Sequence, residues 1–114
     1  MAENVSKDNY TFYDNVSSIN SNTKAIYNVN CDASEMNISF KCTGTFQAKI
    51  YAAIMDITDM KAYPCFQLPS FTLIENFITD ASCLYNVDIS GIDYLKVELI
   101  SLTGNIIVRA KVVG

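Results

Sequence analysis

Period-two alternation of apolar and polar residues governs this chain from residue 25 onward. Met36 to Thr43 puts Ile38, Phe40 and Cys42 on one face and Asn37, Ser39 and Lys41 on the other. Thr45 to Asp56 sends Phe46, Ala48, Ile50, Ala52 and Ile54 inward and Gln47, Lys49 and Tyr51 outward. Successive side chains of a strand point to opposite faces, so each run predicts a strand with one dry and one wet side. Gly44 stands between the two runs, and the pair reads as a hairpin.

The same pattern closes the chain. Leu84, Val87 and Ile89 mark a strand, and Ser90-Gly91 turns it, glycine accepting a positive φ without strain. Leu95, Val97 and Leu99 then face inward, with Lys96 and Glu98 toward water. Thr103-Gly104-Asn105 is a hairpin signal, and Ile106, Val108, Ala110 and Val112 form the dry face of a last strand. Arg109 and Lys111 point outward there, while Ile107 and Val113 break the polar side and predict that part of it is covered. The middle is less regular. Asp56 to Asp59 reads as a turn, Pro64 and Pro69 confine any strand between them to a short or edge position, and Phe71 to Thr79 reads as one strand, straight or bulged. Ala25 to Asn30 supplies a further strand. The sum is seven or eight strands with no helical period. This predicts an all-β antiparallel β-sandwich, immunoglobulin-like or jelly-roll-like.

Residues 1–24 differ from this 25–114 sandwich domain. They are crowded with Asn, Ser and Asp, yet hold Tyr10, Phe12 and Tyr13 close together. They read as an irregular N-terminal arm, which either packs along its own domain as an edge strand or docks on a neighbour. On the docking reading, Tyr10, Phe12 and Tyr13 are partner contacts, joined by Tyr63 and Phe66 from the irregular middle, since aromatic side chains anchor interfaces. Removing residues 1–24 is then expected to leave a folded sandwich that no longer binds.

Composition narrows the function. The chain has 114 residues, a net charge of −4 and half its residues apolar, which is one domain with a real core and an acidic surface. Such a surface disfavours nucleic acid. The first residues lack a basic start followed by an apolar run, so the reading is a chain made in a cytoplasm, with no membrane partner. There is no histidine, which excludes Ser-His and Cys-His nucleophile pairs. Cys31, Cys42, Cys65 and Cys83 show no paired metal-ligand spacing and are expected as free thiols filling core space, Cys42 continuing the face of Ile38 and Phe40. Asp56 with Asp59, and Asp88 with Asp93, bracket turns, where aspartate is a usual residue. No catalytic, cofactor or metal site is expected, and the chain reads as a non-enzyme.

The stretch LYNVDISGIDYLKVELISLTGNIIVRAKVVG, from Leu84 to Gly114, resembles the C-terminal half of small β-sandwich modules in tailed-bacteriophage virion proteins. Tyr85, Val87, Asp88, Ile89, Ser90 and Gly91 fill the characteristic first segment, and Gly104 the later turn. Phe46 to Ile54 is compatible with the strand before it, so the likeness spans residues 36–114. Proteins of this kind serve as capsid decoration proteins, head or tail fibre modules and carbohydrate-binding parts of tails. The resemblance implies a capsid decoration (cement) protein bound to the outside of the head. Its partner would be the major capsid protein or another virion protein, and it would assemble as a homo-oligomer, a trimer by capsid symmetry. A receptor- or carbohydrate-binding module and a tail or baseplate structural protein are the alternatives. The shared motif is scaffold and brings no functional residue with it.

Overall fold

A computed structural model describes residues 6–20, 24–29 and 32–114, with side chains from Asn9 on. Among them are ten strands and no helix: β1 (Ser6–Val16), β2 (Ile26–Asn28), β3 (Glu35–Cys42), β4 (Phe46–Ala53), β5 (Lys61–Ala62), β6 (Cys65–Gln67), β7 (Thr72–Ile74), β8 (Leu84–Asp88), β9 (Tyr94–Leu102) and β10 (Ile106–Val113). They form two antiparallel sheets, one of six strands in the order β1-β10-β3-β8-β6-β7 and one of four in the order β2-β9-β4-β5. The β-sandwich is therefore as expected, the strands beyond the expected eight being β1 and the two-residue β5.

The core lies between the sheets and follows the alternation. Ile38 and Phe40 of β3, Ala48 and Ile50 of β4, Leu95 and Val97 of β9, and Ile106, Val108 and Val112 of β10 are buried. Phe40 stacks on Phe46 across the gap, with ring centroids 5.3 Å apart. Burying such side chains contributes about 1.5–3 kcal/mol each, the dominant favourable term here. Ile54 departs from its expected inward place and is 63% exposed. β4 ends at Ala53, and Met55 then takes a positive φ of 66°, which turns the chain off the sheet.

Connectivity corrects both expected hairpins. β3 and β4 lie in different sheets, and so do β9 and β10. Alternation reports which side is dry but not which strand is the neighbour. β3 pairs with β10 in the large sheet, and β4 pairs with β9 in the small one. The 43–45 and 103–105 segments are thus two arches that cross between the sheets side by side, and they interlock. The Thr43 amide donates to the Asn105 carbonyl at 3.0 Å, and the Thr103 amide to the Thr45 carbonyl at 2.8 Å. The Thr45 amide reaches Thr103 Oγ1, and the Asn105 amide reaches Thr43 Oγ1, each at 2.9 Å. We call this the lower end of the sandwich. The 54–60 and 89–93 segments lie at the upper end.

Of the two readings of the N-terminal segment, the structure takes the edge strand and corrects the arm. The regular part of the segment is not an arm but β1, an edge strand paired with β10. The register slips between Thr11 and Tyr13, so Phe12 is an inserted residue and both Phe12 and Tyr13 turn toward the core. Such a bulge lets two consecutive side chains face inward, and it erases the period that would have announced a strand. The Tyr10 hydroxyl donates to the Ile26 carbonyl of β2 and the Tyr13 hydroxyl to the Val97 carbonyl of β9. β1 thus belongs to one sheet by its backbone and is fastened to the other by its hydroxyls. A boundary at residue 24 does not divide the structure, and deleting residues 1–24 would uncover β10 and remove a fully buried phenylalanine.

Candidate interaction surface

Of the five expected contact residues, Phe12 and Tyr13 are core, and Tyr10 packs edge-on against Phe12 and Tyr27 with centroids 5.0 and 4.9 Å away. These three are corrected from partner anchors to internal ones. Tyr63 is half-buried, and its hydroxyl donates to the Asp88 carbonyl. Burial, then the nearby Asp88 charge, raises its pKa. Phe66 stands on the outer side of the six-stranded sheet beside Phe71, 6.1 Å between ring centroids. The structure does not bring Tyr63 and Phe66 together with the β1 aromatics.

The aspartates have structural employment. Asp56 Oδ1 accepts from the Thr58 amide and hydroxyl at 2.9 and 2.7 Å. Asp88 Oδ1 does the same for Ser90, at 3.0 and 2.7 Å, and Asp80 Oδ1 for Ser82, at 2.8 and 2.6 Å. These bonds, the hydroxyl first and the amide second, hold all three carboxyls below the usual carboxylate range. Asp93 Oδ2 accepts from the Met55 amide at 2.7 Å and so ties the two upper loops, while Asp59 pairs with Lys61 at 2.8 Å. The third Asp turn, at Asp80, was missed in the sequence although Asp80-Ala81-Ser82 repeats the Asp-x-Ser/Thr spacing of the other two.

The thiols divide. Cys65 is buried, and desolvation pushes it up to about 11. Cys42 and Cys83 are half-buried, and Cys83 Sγ accepts from Gln67 Nε2 at 3.0 Å. Cys31 lies outside the described residues. Among the described residues no group of three His, Cys, Asp or Glu side chains is placed to hold a metal ion, and no helix is long and apolar enough to cross a membrane.

What remains is surface, and the outer faces of the two sheets differ. On the four-stranded sheet, Lys49 stands opposite Glu98 and Tyr51 opposite Lys96. Lys49 also lies over the Phe77 ring at 5.5 Å, and Lys96 over the Tyr51 ring at 6.0 Å. Each cation there meets an anion or a ring. On the six-stranded sheet, register aligns Lys111 with Asn37 and Asn86, Arg109 with Ser39 and Leu84, and Lys41 with Ile107. Lys41, Arg109 and Lys111 are all exposed, and none makes an ion pair with a described residue. Alternate residues of a strand sit about 7 Å apart, where like charges repel by about 0.6 kcal/mol in water. The described carboxylates stand at the margins of this face. Glu35 and Asp88 are at its upper end, Glu35 already accepting from Asn86 Nδ2 at 2.8 Å, and Asp14 is on the edge strand. Beside the cations lies an apolar wing. Phe71, Leu73 and Leu84 are exposed at 58%, 46% and 48%, and Phe66 is opposite Leu73 in register. Alternation alone sets the outward direction of Lys41, Arg109 and Lys111. Only the pairing of β3 with β10 gathers them.

No family model matches this chain, and no curated protein matches it by sequence. Two solved structures match its fold over the whole chain. One is the SPBc2 prophage-derived protein YomS, with a TM-score of 0.85, 18% identity, and 100% of this chain and 99% of that one covered. The other is the PBSX exported protein XepA, with a TM-score of 0.84 and 17% identity, covering 100% of this chain but 40% of XepA. YomS is prophage-derived. At these identities the likeness is one of fold, end to end with YomS and with a part of XepA.

Proposed function

We propose that this chain is a non-enzymatic structural protein of a phage virion, and within that class a capsid decoration protein that binds the outside of the head. The observation that carries the phage part is the end-to-end fold likeness to the prophage-derived protein YomS. The decoration role is supported by surface rather than by any cleft. No described residue covers the outer face of the six-stranded sheet, while Asp56, Asp80, Asp88 and Asp93 are taken up by loop hydrogen bonds and Cys65 by the core. The mechanism is then area and shape complementarity, a specific contact burying upwards of about 1,000 Å² in total. The partner proposed is the major capsid protein or another virion protein, and a homotrimer on the capsid's symmetry is the assembly proposed.

The test is co-sedimentation of the purified chain with undecorated heads and, in parallel, with cell-wall polysaccharide. Saturable binding to heads at hundreds of copies supports decoration. Binding to tails or baseplates alone moves the assignment to a tail structural protein. Binding to polysaccharide alone favours a receptor- or carbohydrate-binding module, for which Phe66 and Phe71 beside the amides of Asn37 and Asn86 are the candidate contacts. Because XepA is an exported protein, the culture fluid is assayed too. Protein found there and absent from particles overturns the virion reading.

A further inference from the structure

We propose that the outer face of the six-stranded sheet docks a protein surface that presents an apolar patch beside a row of carboxylates. This deepens the virion reading by naming the partner's chemistry, yet its test needs no virion.

The argument begins with charge. The protein carries −4 overall, yet three of its eight cations, Lys41, Arg109 and Lys111, stand on one sheet face without a carboxylate partner among the described residues. Cations elsewhere show that the fold can satisfy them. Lys61 has Asp59, and Lys49 and Lys96 have rings and Glu98 across the ladder. On the large sheet the facing positions are filled by Asn37, Ser39 and Asn86 instead. Amides and hydroxyls there leave the cations free for an outside anion.

The apolar wing decides what bears that anion. Phe66, Phe71, Leu73 and Leu84 sit at the β6-β7-β8 side of the same face, and three of them are exposed. A phosphate polymer would use the cations and leave this wing wet. A protein covers both, with aromatic and aliphatic groups at the centre and charged pairs at the rim. Size agrees. The six strands hold 38 residues, which at about 3.3 Å by 4.8 Å each give a face of roughly 600 Å², within the range of smaller specific interfaces, whose standard is ~800 Å² per partner. Carboxylates on the partner would steer it, and would remove the repulsion among the cations on contact.

The experiment follows backbone amide shifts of the ¹⁵N-labelled full chain on titration with a poly-L-glutamate 20-mer and, separately, with inorganic polyphosphate. The expected result is shifts confined to residues 37–41, 84–86 and 107–111 with polyglutamate, and an apparent affinity at least tenfold weaker at 300 than at 50 mM salt. The triple variant Lys41→Glu, Arg109→Glu, Lys111→Glu should abolish them, and Lys49→Glu with Lys96→Glu on the other sheet should not. If the triple variant fails to fold, Arg109→Gln with Lys111→Gln should still weaken binding severalfold. No shifts, shifts on the other sheet, or binding of polyphosphate alone would overturn the proposal. Heads separate it from the virion reading. Should they bind the triple variant at wild-type occupancy, this face is refuted and decoration stands. Should they bind no protein while polyglutamate marks the face, decoration fails and the face stands.

Discussion

The two ends of the sandwich use the same turn vocabulary and opposite physics. At the lower end, Thr43-Gly44-Thr45 and Thr103-Gly104-Asn105 lie against each other so closely that neither glycine has room for a side chain. A Cβ on Gly44 would fall 2.3 Å from the Thr103 carbonyl oxygen, and one on Gly104 would fall 2.6 Å from Thr43 Oγ1 and 2.8 Å from the Gly44 nitrogen. Gly104 also holds a φ of 75°, where an L side chain is strained. At the upper end, Gly91 has nothing within 4 Å of where its Cβ would be, and its φ is not positive. There the loops are held by carboxylates: Asp88 closes the turn onto Ser90, and Asp93 crosses to the Met55 amide. Both ends carry hydrogen bonds that water can compete for, and only the lower one adds a fit of backbone on backbone that leaves no space for a Cβ. The exposed Ile54, Met55 and Ile57 belong to the second end.

If that contrast is right, Gly104→Ala is the most damaging change at either end. It adds positive-φ strain to a backbone overlap, and about 3–5 kcal/mol should be lost in urea unfolding. Gly44→Ala has the overlap without the strain, so about 2–3 kcal/mol is expected. The pair sharpens the claim that the arches act as one unit. Once the first substitution has parted them, the second has less to collide with, so the double variant should cost less than the sum of the singles. Strict additivity would mean that the arches are independent turns.

The sequence made the dry faces legible and the neighbours illegible. Alternation placed Phe40, Phe46, Val97 and Val108 correctly because each strand must bury one side, whichever strand lies beside it. A Gly-Asn pair reads the same in a two-residue hairpin and in an arch, because both need a left-handed glycine. What separates them is whether the flanking strands pair with each other, a long-range fact. Ser90-Gly91 likewise reads as a turn that needs a positive φ, which the local Asp88 bond to the Ser90 amide makes unnecessary. β1 is blurred by its own bulge, which puts Phe12 and Tyr13 on the same side and leaves edge strand and docking arm reading alike. The surface was the least legible part. Lys41 and Arg109 are far apart in sequence and become neighbours only through the β3–β10 register.

Asp88→Ala probes the solvent-facing end and should be milder, near 0.5 kcal/mol after discounting for screening by water. Its pH dependence gives it away. The folded-state carboxyl lies below the usual range because Ser90 donates to it twice. A depressed carboxyl contributes stability above its unfolded value, near 3.9, and loses it as pH falls through the folded one. The gap between wild type and Asp88→Ala should therefore be constant at neutral pH and close in acid. A gap unchanged down to pH 2 would mean that the side chain acts by packing.

Gly91→Ala is the smallest effect and the strictest test. Glycine in a turn invites the inference that nothing else fits, and a resemblance that runs through Ser90-Gly91 strengthens that temptation. The geometry says otherwise: the site is open, and its φ is one that alanine can adopt. Alanine would restrict the unfolded chain while leaving the native turn on its Asp88 bonds, so the variant should match wild type or gain about 0.4–1 kcal/mol. Thermal and urea unfolding of Gly91→Ala beside Gly104→Ala would then give opposite signs for one substitution made in two turns of one molecule. A loss at Gly91 as large as that at Gly104 would mean that the upper turn is closed by something other than Asp88, and the distinction between the ends would fall with it.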